Sequence, residues 1–278
     1  MAVTAAVLGS AVLHATWNAL VKNVEDHLVG FSALNVGAGA VCLLVVPFVD
    51  APERRAWPYL ALSVAVHVGY QAMLLQAYKV GDLSQVYPIA RGTAPLLVAL
   101  LAVPLADEQL GALALAGVVA IGGGLISLAH VRDGLGSERT PALAFAFATG
   151  LLITAYSMID GLGVRRAGSP LGYAAWLVLL ESSAIPAYAL LRERPRMRRY
   201  WRATWRLAVL GGVLSVTAYA IVLWAQTRGA LAAVTALRET GVIVAAVIGT
   251  VVFHEHFGRR RVVAAVLVAA GVVLLNLG

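Results

Sequence analysis

Charged residues are scarce in this sequence. Only 13% of its 278 residues are charged, 60% are apolar, and the mean hydropathy is +0.84. A soluble domain of this length needs a charged surface that such a composition does not supply. The apolar runs are long and continuous, whereas the strands of a membrane β-barrel would alternate with a period of two. The sequence therefore predicts an all-α polytopic membrane protein.

Cysteine is nearly absent as well. The single Cys42 excludes an internal disulfide and a zinc site made of cysteines. The net charge of +7, from 21 basic against 14 acidic residues, is expected to face the cytoplasm and anionic lipid rather than nucleic acid. No basic segment precedes the first apolar run, so we expect this run to be retained as a helix rather than cleaved as a signal peptide.

About ten stretches are apolar and long enough to cross a bilayer, which takes roughly 20 residues. The predicted spans are 2–21, 28–48, 57–78, 83–105, 110–130, 141–161, 171–191, 206–227, 230–253 and 260–277. The segments between them are too short to hold a soluble domain. We therefore expect the activity to lie in or at the membrane, and we predict the inner cell membrane as its location.

An internal repeat relates the two parts of the chain. Residues 81–86, Gly-Asp-Leu-Ser-Gln-Val, correspond to residues 229–234, Gly-Ala-Leu-Ala-Ala-Val. With one residue of slippage, Glu108 aligns with Glu255 and Gly124 with Gly271. Five crossings in each repeat would reverse the orientation of the second. We predict two inverted five-helix repeats, residues 1–137 and 138–278, with a site between them near the middle of the membrane.

The matched halves, each with an acidic corner followed by a glycine-containing helix, resemble the drug/metabolite transporter superfamily. Within it, they resemble the ten-helix members with two EamA-type repeats. The segment His14-Ala15-Thr16-Trp17-Asn18, followed by Lys22, is similar to the first helix of one EamA subgroup. The resemblance covers the whole chain. It implies a transport protein with both termini in the cytoplasm.

The distribution of basic residues gives the opposite orientation. The loops after the first, third, fifth, seventh and ninth predicted helices hold 14 basic residues, and the other side holds five. The positive-inside rule then places both termini outside. The orientation therefore stays open at this point.

Four ionisable residues lie within predicted spans: Arg91, Glu181, Arg238 and Glu239. A charge at the centre of a membrane helix costs about 2.5–3.5 kcal/mol on insertion scales, so each needs a partner or a function. The repeat places Arg91 and Glu239 at equivalent positions, which predicts either a gate or anion site, or a static ion pair between the halves. Arg238 is expected to compete for Glu239 or to extend toward the interface.

Two further carboxyl groups are interpreted differently. Glu181 is predicted to lie in the middle of a helix without a basic neighbour one turn away. An unpaired carboxyl in a dry site favours its protonated form, which suits a proton carrier, although a packing role stays open. Asp160, near Arg165 and Arg166, is predicted to be a solvated residue at a helix end.

Other polar and aromatic residues share helix faces because they are three or four residues apart. His14, Trp17 and Asn18 do so in the first predicted helix, His67, Tyr70 and Gln71 in the third, and Tyr87 and Arg91 in the fourth. As a set they predict a cavity with aromatic walls and a few hydrogen-bonding groups. Taken singly, each could instead link two helices. Pro88 and Pro95 are expected to loosen the fourth helix around Arg91.

The sequence gives little support for an enzyme. The segment His254-Glu255-His256 is not a His-Glu-x-x-His motif, so we predict a solvated corner and no metal or other cofactor there. We therefore predict a secondary transporter of a small polar or amphipathic metabolite that works by alternating access, either facilitative or coupled to protons. The alternatives are a flippase for a lipid-linked intermediate and an intramembrane enzyme.

Overall fold

The computed structural model of the chain describes residues 1–21, 27–80, 83–128, 140–253 and 259–277. Eleven α-helices form in these residues, with two short 3-10 segments at Val46–Phe48 and Arg54–Ala56. The helices are α1 Ala2–Val21, α2 His27–Val45, α3 Trp57–Val80, α4 Leu83–Ala106, α5 Ala112–Ile126, α6 Thr140–Val164, α7 Pro170–Glu181, α8 Ala184–Gln226, α9 Leu231–Glu239, α10 Gly241–Phe253 and α11 Arg259–Leu277.

The predicted all-α membrane class is confirmed. Among the described residues there is no strand, and five helical stretches are long and apolar enough to cross a membrane. These stretches are Leu28–Phe48, Arg54–Gln76, Pro88–Ala106, Leu143–Val164 and Pro170–Gln226. The total of ten crossings stays a prediction.

The chain between residues 170 and 226 differs from its predicted helices. The predicted span 171–191 is interrupted after Glu181, where the hydroxyls of Ser182 and Ser183 donate to the carbonyl oxygens of Leu179 and Leu180. Such bonds compete with helix continuation. The arginine-rich segment 192–206, predicted as a loop, is instead part of α8, which bends at Glu193 (φ −133°, ψ 34°), two residues before Pro195.

The predicted helix 230–253 is also interrupted. It is divided at Thr240 into α9 and α10, and the Thr240 hydroxyl donates to the carbonyl oxygen of Leu237 at 2.7 Å. By contrast, α4 runs without a break through Pro88 and Pro95, where the sequence suggested loosening. The helix interruption therefore lies directly after Glu239 rather than around Arg91.

Helices from the two predicted halves pack against each other in corresponding pairs. α3 packs on α6, and α1 packs on α8. α4 also packs on α6, and α1 also packs on α9 and α10. When the two predicted halves are exchanged, the α3–α6 contact becomes the α8–α1 contact. The α4–α6 contact becomes the contact of α9 and α10 with α1.

The helices α5 and α11, which pack on each other, meet through small residues. A Cβ atom added to Gly117 would lie 2.7 Å from the carbonyl oxygen of Gly271, and one added to Gly271 would lie 2.7 Å from that of Gly117. A Cβ on Gly124 would lie 3.3 Å from the carbonyl oxygen of Ala264. The Gly117–Gly271 contact becomes the Gly124–Ala264 contact when the repeat offset of 147 residues is applied. Gly117 and Gly271 thus allow the backbones of α5 and α11, the last helices of the two predicted halves, to approach closely.

Candidate functional site

A cavity of about 140 Å³ lies among α1, α2, α3, α4, α6, α7, α8 and α9. Nine of the eleven site residues predicted from the sequence line it. These nine are His14, Trp17, Asn18, His67, Tyr70, Gln71, Arg91, Glu181 and Arg238. Glu239 lies behind the wall in contact with Arg91, and the side chain of Tyr87 lies outside the part of the chain that the structure describes.

Two arginines share one carboxylate at the wall of this cavity. Arg91 Nη1 donates to Glu239 Oε2 at 3.0 Å and to Oε1 at 3.2 Å. Arg238 donates to Glu239 Oε1 from Nη2 at 2.9 Å and from Nε at 3.0 Å. The side chains of all three residues are at most 6% exposed. The structure therefore contains the Arg91–Glu239 pair that the repeat predicts, with Arg238 as a second partner.

Other polar groups hold the two guanidinium groups in place. Arg91 Nη2 lies 2.7 Å from His14 Nε2, which must accept this bond because a guanidinium only donates. Arg238 Nη2 donates to Tyr156 and Ser157 at 3.4 Å, and its Cζ lies 5.5 Å from the centre of the Tyr156 ring. Both arginines thus have fixed directions in the wall, as a site for an anionic group requires.

A second polar cluster contains Asp160, and this overturns the prediction of a solvated boundary residue. The Asp160 side chain is fully buried. It accepts a hydrogen bond from the Tyr219 hydroxyl at Oδ2 and one from the Tyr173 hydroxyl at Oδ1, at 3.2 Å. His67 Nε2 lies 3.9 Å from Oδ2. Asp160 is therefore part of an internal network and not of the surface.

Glu181 has a partner that the sequence did not indicate. Its Oε2 lies 3.5 Å from His67 Nδ1, on a different helix, and forms no hydrogen bond within the described residues. Glu181 is also the last residue of α7 rather than a mid-helix residue. The sequence prediction concerned neighbours one turn away on the same helix, whereas the structure brings His67 to Glu181 from α3.

The cavity has further lining residues that sequence analysis did not select. Asn35 Nδ2 donates to Gln71 Oε1 at 3.0 Å. Tyr156 stacks on His67 with ring centres 4.1 Å apart, and Tyr219 approaches the same ring edge-on. The i, i+4 spacing of Tyr156 and Asp160 within an apolar helix was a signal that could have found this face of α6.

Polar contacts join several helices at one end of the bundle. We call it the Glu108 end; there α4, α6 and α8 end and α7 and α9 begin. Glu108 pairs with Arg165 at 2.6 Å and accepts the backbone N–H of Leu231 at 2.7 Å. Arg165 also donates to the carbonyl oxygens of Gln226 at 2.8 Å and Gly229 at 2.9 Å. These bonds connect the α4–α5 corner of the first predicted half to α6 and to the α8–α9 corner of the second.

The cavity lies away from the Glu108 end. Arg91 is eight residues from the start of α4 and 15 from its end, or about 12 and 22 Å along a helix. Asn18 is near the end of α1 and Phe31 near the start of α2, and both line the cavity. The cavity thus extends toward the end opposite Glu108.

A larger, open cleft of about 830 Å³ follows the basic part of α8, along Arg194, Arg198, Arg199 and Arg202. It contains none of the predicted site residues. A row of arginines beside a membrane helix suits anionic lipid headgroups, which agrees with the expected lipid partners.

No metal site is formed by the described residues, in which no three His, Cys, Asp or Glu side chains are arranged to hold an ion. The segment His254-Glu255-His256 lies outside the described residues.

Comparison with known proteins identifies one family. Residues 140–277 match the model of the EamA-like transporter family. One solved structure, described as the crystal structure of a protein, superposes with a TM-score of 0.78 over 99% of this chain and 95% of its own, at 19% identity. That likeness shows the fold alone. No curated protein matches the sequence.

Proposed function

Because the chain belongs to the EamA-like transporter family through its residues 140–277, we propose that this integral membrane protein is a secondary transporter of the inner cell membrane. It moves a small polar or amphipathic metabolite by alternating access. The observation that carries the proposal is the cavity between the predicted halves, in whose wall two arginines share one carboxylate.

The cavity favours a small substrate with an anionic group. Its volume of about 140 Å³ is below the roughly 300–1,000 Å³ of ordinary small-molecule pockets. Arg91 and Arg238 carry two positive charges against the single carboxylate of Glu239. A carboxylate or phosphate-like group on the substrate would compete with Glu239 for these guanidinium groups, which bind planar or tetrahedral anions through paired N–H bonds.

The remaining wall suits the rest of such a molecule. Trp17, Phe31 and Tyr70 provide apolar surface, while Asn35 and Gln71 provide hydrogen-bonding groups. A mostly apolar wall with a few polar groups is typical of small-molecule sites. We assign substrate binding to this wall, to Arg91 and to the neighbouring His14 and Asn18.

Alternating access is supported by the corresponding helix contacts of the two predicted halves. Inverted repeats allow one half to rock against the other around a central site. The contacts of Glu108 with Arg165 and Leu231 join the two halves at one end. Opening that end requires these bonds to break while the opposite end closes, so we interpret Glu108 and Arg165 as a gate.

The carboxyl groups at the cavity supply a route to ion coupling. Glu239 lies between two arginines, and Glu181 faces the cavity at the end of α7. If a substrate anion takes the arginines, Glu239 is left without its partners, and a proton would neutralise it. The driving force is then a proton gradient or the gradient of the substrate itself.

A binding screen followed by flux measurements tests this function. Purified protein is screened by thermal shift against classes of small metabolites, and each hit is followed into proteoliposomes with and without a pH gradient. We expect at least one anionic or zwitterionic hit to cross. Arg91→Gln should reduce its uptake roughly tenfold or more, since a hydrogen bond to a charged group contributes about 1.5–3 kcal/mol. The exposed Arg55→Gln is the matched control.

Three outcomes would overturn the proposal. Hits that bind but never cross would remove the transport function. Product formation in detergent without any gradient would indicate an enzyme. Movement of a lipid-linked compound between leaflets, without uptake of soluble hits, would indicate a flippase.

A further inference from the structure

The polar cluster around His67 brings two carboxyl groups to one imidazole ring. We propose that Glu181, His67 and Asp160 form a proton-binding relay, with Glu181 as its port to the cavity and Asp160 as its inner end. What the proton drives rests on the proposed transport function; the binding of the proton does not.

The two nitrogens of His67 face different carboxyl groups. Nδ1 lies 3.5 Å from Glu181 Oε2, and Nε2 lies 3.9 Å from Asp160 Oδ2. Tyr219 closes the second gap, because its hydroxyl lies 3.5 Å from Nε2 and donates to Asp160 Oδ2. An imidazole with a carboxyl group on each side can take a proton at one nitrogen and release one at the other.

The tautomer of His67 follows from its remaining contacts. Nδ1 lies 3.0 Å from the backbone carbonyl oxygen of Ser63, which can only accept a hydrogen bond. Nδ1 also lies 3.1 Å from the Ser63 hydroxyl, which can donate or accept. We assign the proton to Nδ1 because the carbonyl oxygen needs a donor. The lone pair of Nε2 then points to the Tyr219 hydroxyl and Asp160, ready to accept a proton from that side.

The two carboxyl groups differ in their access to the cavity. Glu181 lines the cavity and its side chain is 13% exposed, whereas Asp160 does not line it and is fully buried. If both carried a full charge beside a neutral imidazole, two negative charges would be buried with no cation from the described residues at hydrogen-bonding distance. That state is costly, so the cluster holds at least one proton. A second proton exchanges with the cavity through Glu181.

A proton moves through the relay in two balanced steps. The Tyr219 hydroxyl, which donates to Asp160 Oδ2 in the structure, first turns its hydrogen to His67 Nε2. Protonated Asp160 then gives its proton to the Tyr219 oxygen, which passes its own proton to Nε2, so that an imidazolium and an Asp160 carboxylate form. The imidazolium then releases the Nδ1 proton to the Glu181 carboxylate. One N–H bond forms and one breaks, the ring changes tautomer, and the reverse sequence loads Asp160 from the cavity.

Charged and titratable groups from every neighbouring helix face this cluster. Tyr173 of α7 bonds to Asp160, and Tyr156 of α6 stacks on His67. The Cys42 thiol of α2 is within electrostatic reach of Glu181. Arg238 of α9 lies over the Tyr156 ring, and beyond it are Glu239, Arg91 of α4 and His14 of α1.

Tyr156 joins the relay to the arginine cluster. One side of its ring stacks on His67, and the guanidinium of Arg238 lies 5.5 Å from the ring centre. A positive charge on His67 would oppose the cation of Arg238 across this ring. Protonation of the relay would therefore weaken the hold of Arg238 on Tyr156, which links proton binding to the site for the substrate anion.

Infrared difference spectroscopy of the purified full-length protein tests the relay with protons as the only ligand. Spectra are recorded across a pH series in the C=O stretching region of protonated carboxyl groups. We expect Glu181→Gln and Asp160→Asn each to remove one band, whereas the exposed Glu53→Gln should leave both. Asp160→Asn should also move the midpoint of the Glu181 band by about one pH unit, because the two carboxyl groups exchange a proton through His67 and titrate as a coupled pair.

The linkage through His67 has its own test. In a His67→Gln background, Asp160→Asn should no longer move the Glu181 midpoint to the same extent, which a merely structural role of the histidine would not produce. If Asp160→Asn does not fold, Tyr219→Phe keeps the ring and should shift the Asp160 band. An unchanged Glu181 midpoint in Asp160→Asn, or an unchanged Asp160 band in Tyr219→Phe, overturns the relay.

The relay and the proposed function fail in different ways. If the two carboxyl bands titrate as a coupled pair but no solute is transported, the relay stands and the transport function is refuted. If the protein moves solute but the Glu181 midpoint is unchanged in Asp160→Asn, the transport function stands and the relay is refuted.

Discussion

Replacing Glu239 by Gln removes the only carboxylate that Arg91 and Arg238 share among the described residues. Its two oxygens accept four hydrogen bonds of 2.9 to 3.2 Å from these arginines. A glutamine of the same shape accepts at one oxygen only, and its NH2 group faces a guanidinium. Breaking a buried pair by removing one partner costs about 3–5 kcal/mol. Since two cations are left behind here, we expect a loss of stability in this range.

The thermal unfolding midpoint of the detergent-solubilised protein measures this loss. At about 2 °C per kcal/mol for a chain of this size, Glu239→Gln should lower the midpoint by about 6–10 °C. The matched control is Glu53→Gln, which removes the exposed carboxylate of the Glu53–Arg55 pair at 2.9 Å. That pair should contribute no more than about 1 kcal/mol.

A second substitution distinguishes the cost of leaving buried cations unpaired from other effects of Glu239→Gln. Arg91→Met in the Glu239→Gln background removes one of the two buried cations and should recover part of the midpoint, although Arg238 still lacks its carboxylate. If Glu239→Gln is as stable as Glu53→Gln, or if the double variant is less stable than the sum of the single changes predicts, the reasoning about the buried cluster is wrong.

The remaining predictions concern the gate and the helix crossing. Glu108→Ala should speed hydrogen exchange of the Leu231 amide severalfold, because that N–H loses its acceptor at the Glu108 end; exchange at the wild-type rate would contradict the gate. Gly117→Ala should cost about 1–3 kcal/mol in denaturant unfolding, since the new Cβ would lie 2.7 Å from the carbonyl oxygen of Gly271. Gly123→Ala, where a Cβ meets no atom within 4 Å, is its control and should be neutral or slightly stabilising; equal effects of the two would refute the close crossing.

The repeat in the sequence was enough to suggest one of the buried ion pairs. Arg91 and Glu239 are 148 residues apart, and only the alignment of the two halves suggested that they meet. Face periodicity likewise selected His14, Trp17 and Asn18, all of which line the cavity. Both groups of residues could be selected because helical spacing and the repeat are encoded in local sequence.

The sequence-based prediction for Asp160 is wrong because residues that are near along the chain are not necessarily near in space. Arg165 is five residues further on, which is about 140° around a helix and about 7.5 Å along it. Arg165 therefore bonds to Glu108 at the end of the bundle, while Asp160 faces inward toward Tyr173 and Tyr219. Only the contact between α6, α7 and α8 reveals this, and sequence periodicity does not specify which helices meet.

The interruptions of the helices were missed for a similar reason. A hydropathy profile places Glu181 inside an apolar run. It carries no information about the serine hydroxyls that bond to the last carbonyl oxygens of α7. The break at Thr240 does not show in the hydropathy profile either, because apolar residues dominate the segments on both sides of it. These positions place Glu181 and Glu239 at helix ends, where their directions differ from those in a continuous helix.

Access to the cavity from both sides of the membrane tests the central claim most directly. Ser215 lines the cavity, and Ser215→Cys is a nearly isosteric change. The native Cys42 is fully buried, so the unmodified protein supplies the background. A membrane-impermeant thiol reagent is applied to one side of oriented proteoliposomes, and separately to the other. We expect the thiol introduced by Ser215→Cys to react from either side, while Cys42 stays unmodified; reaction from one side only, or from neither, would contradict a transport pathway with alternating access.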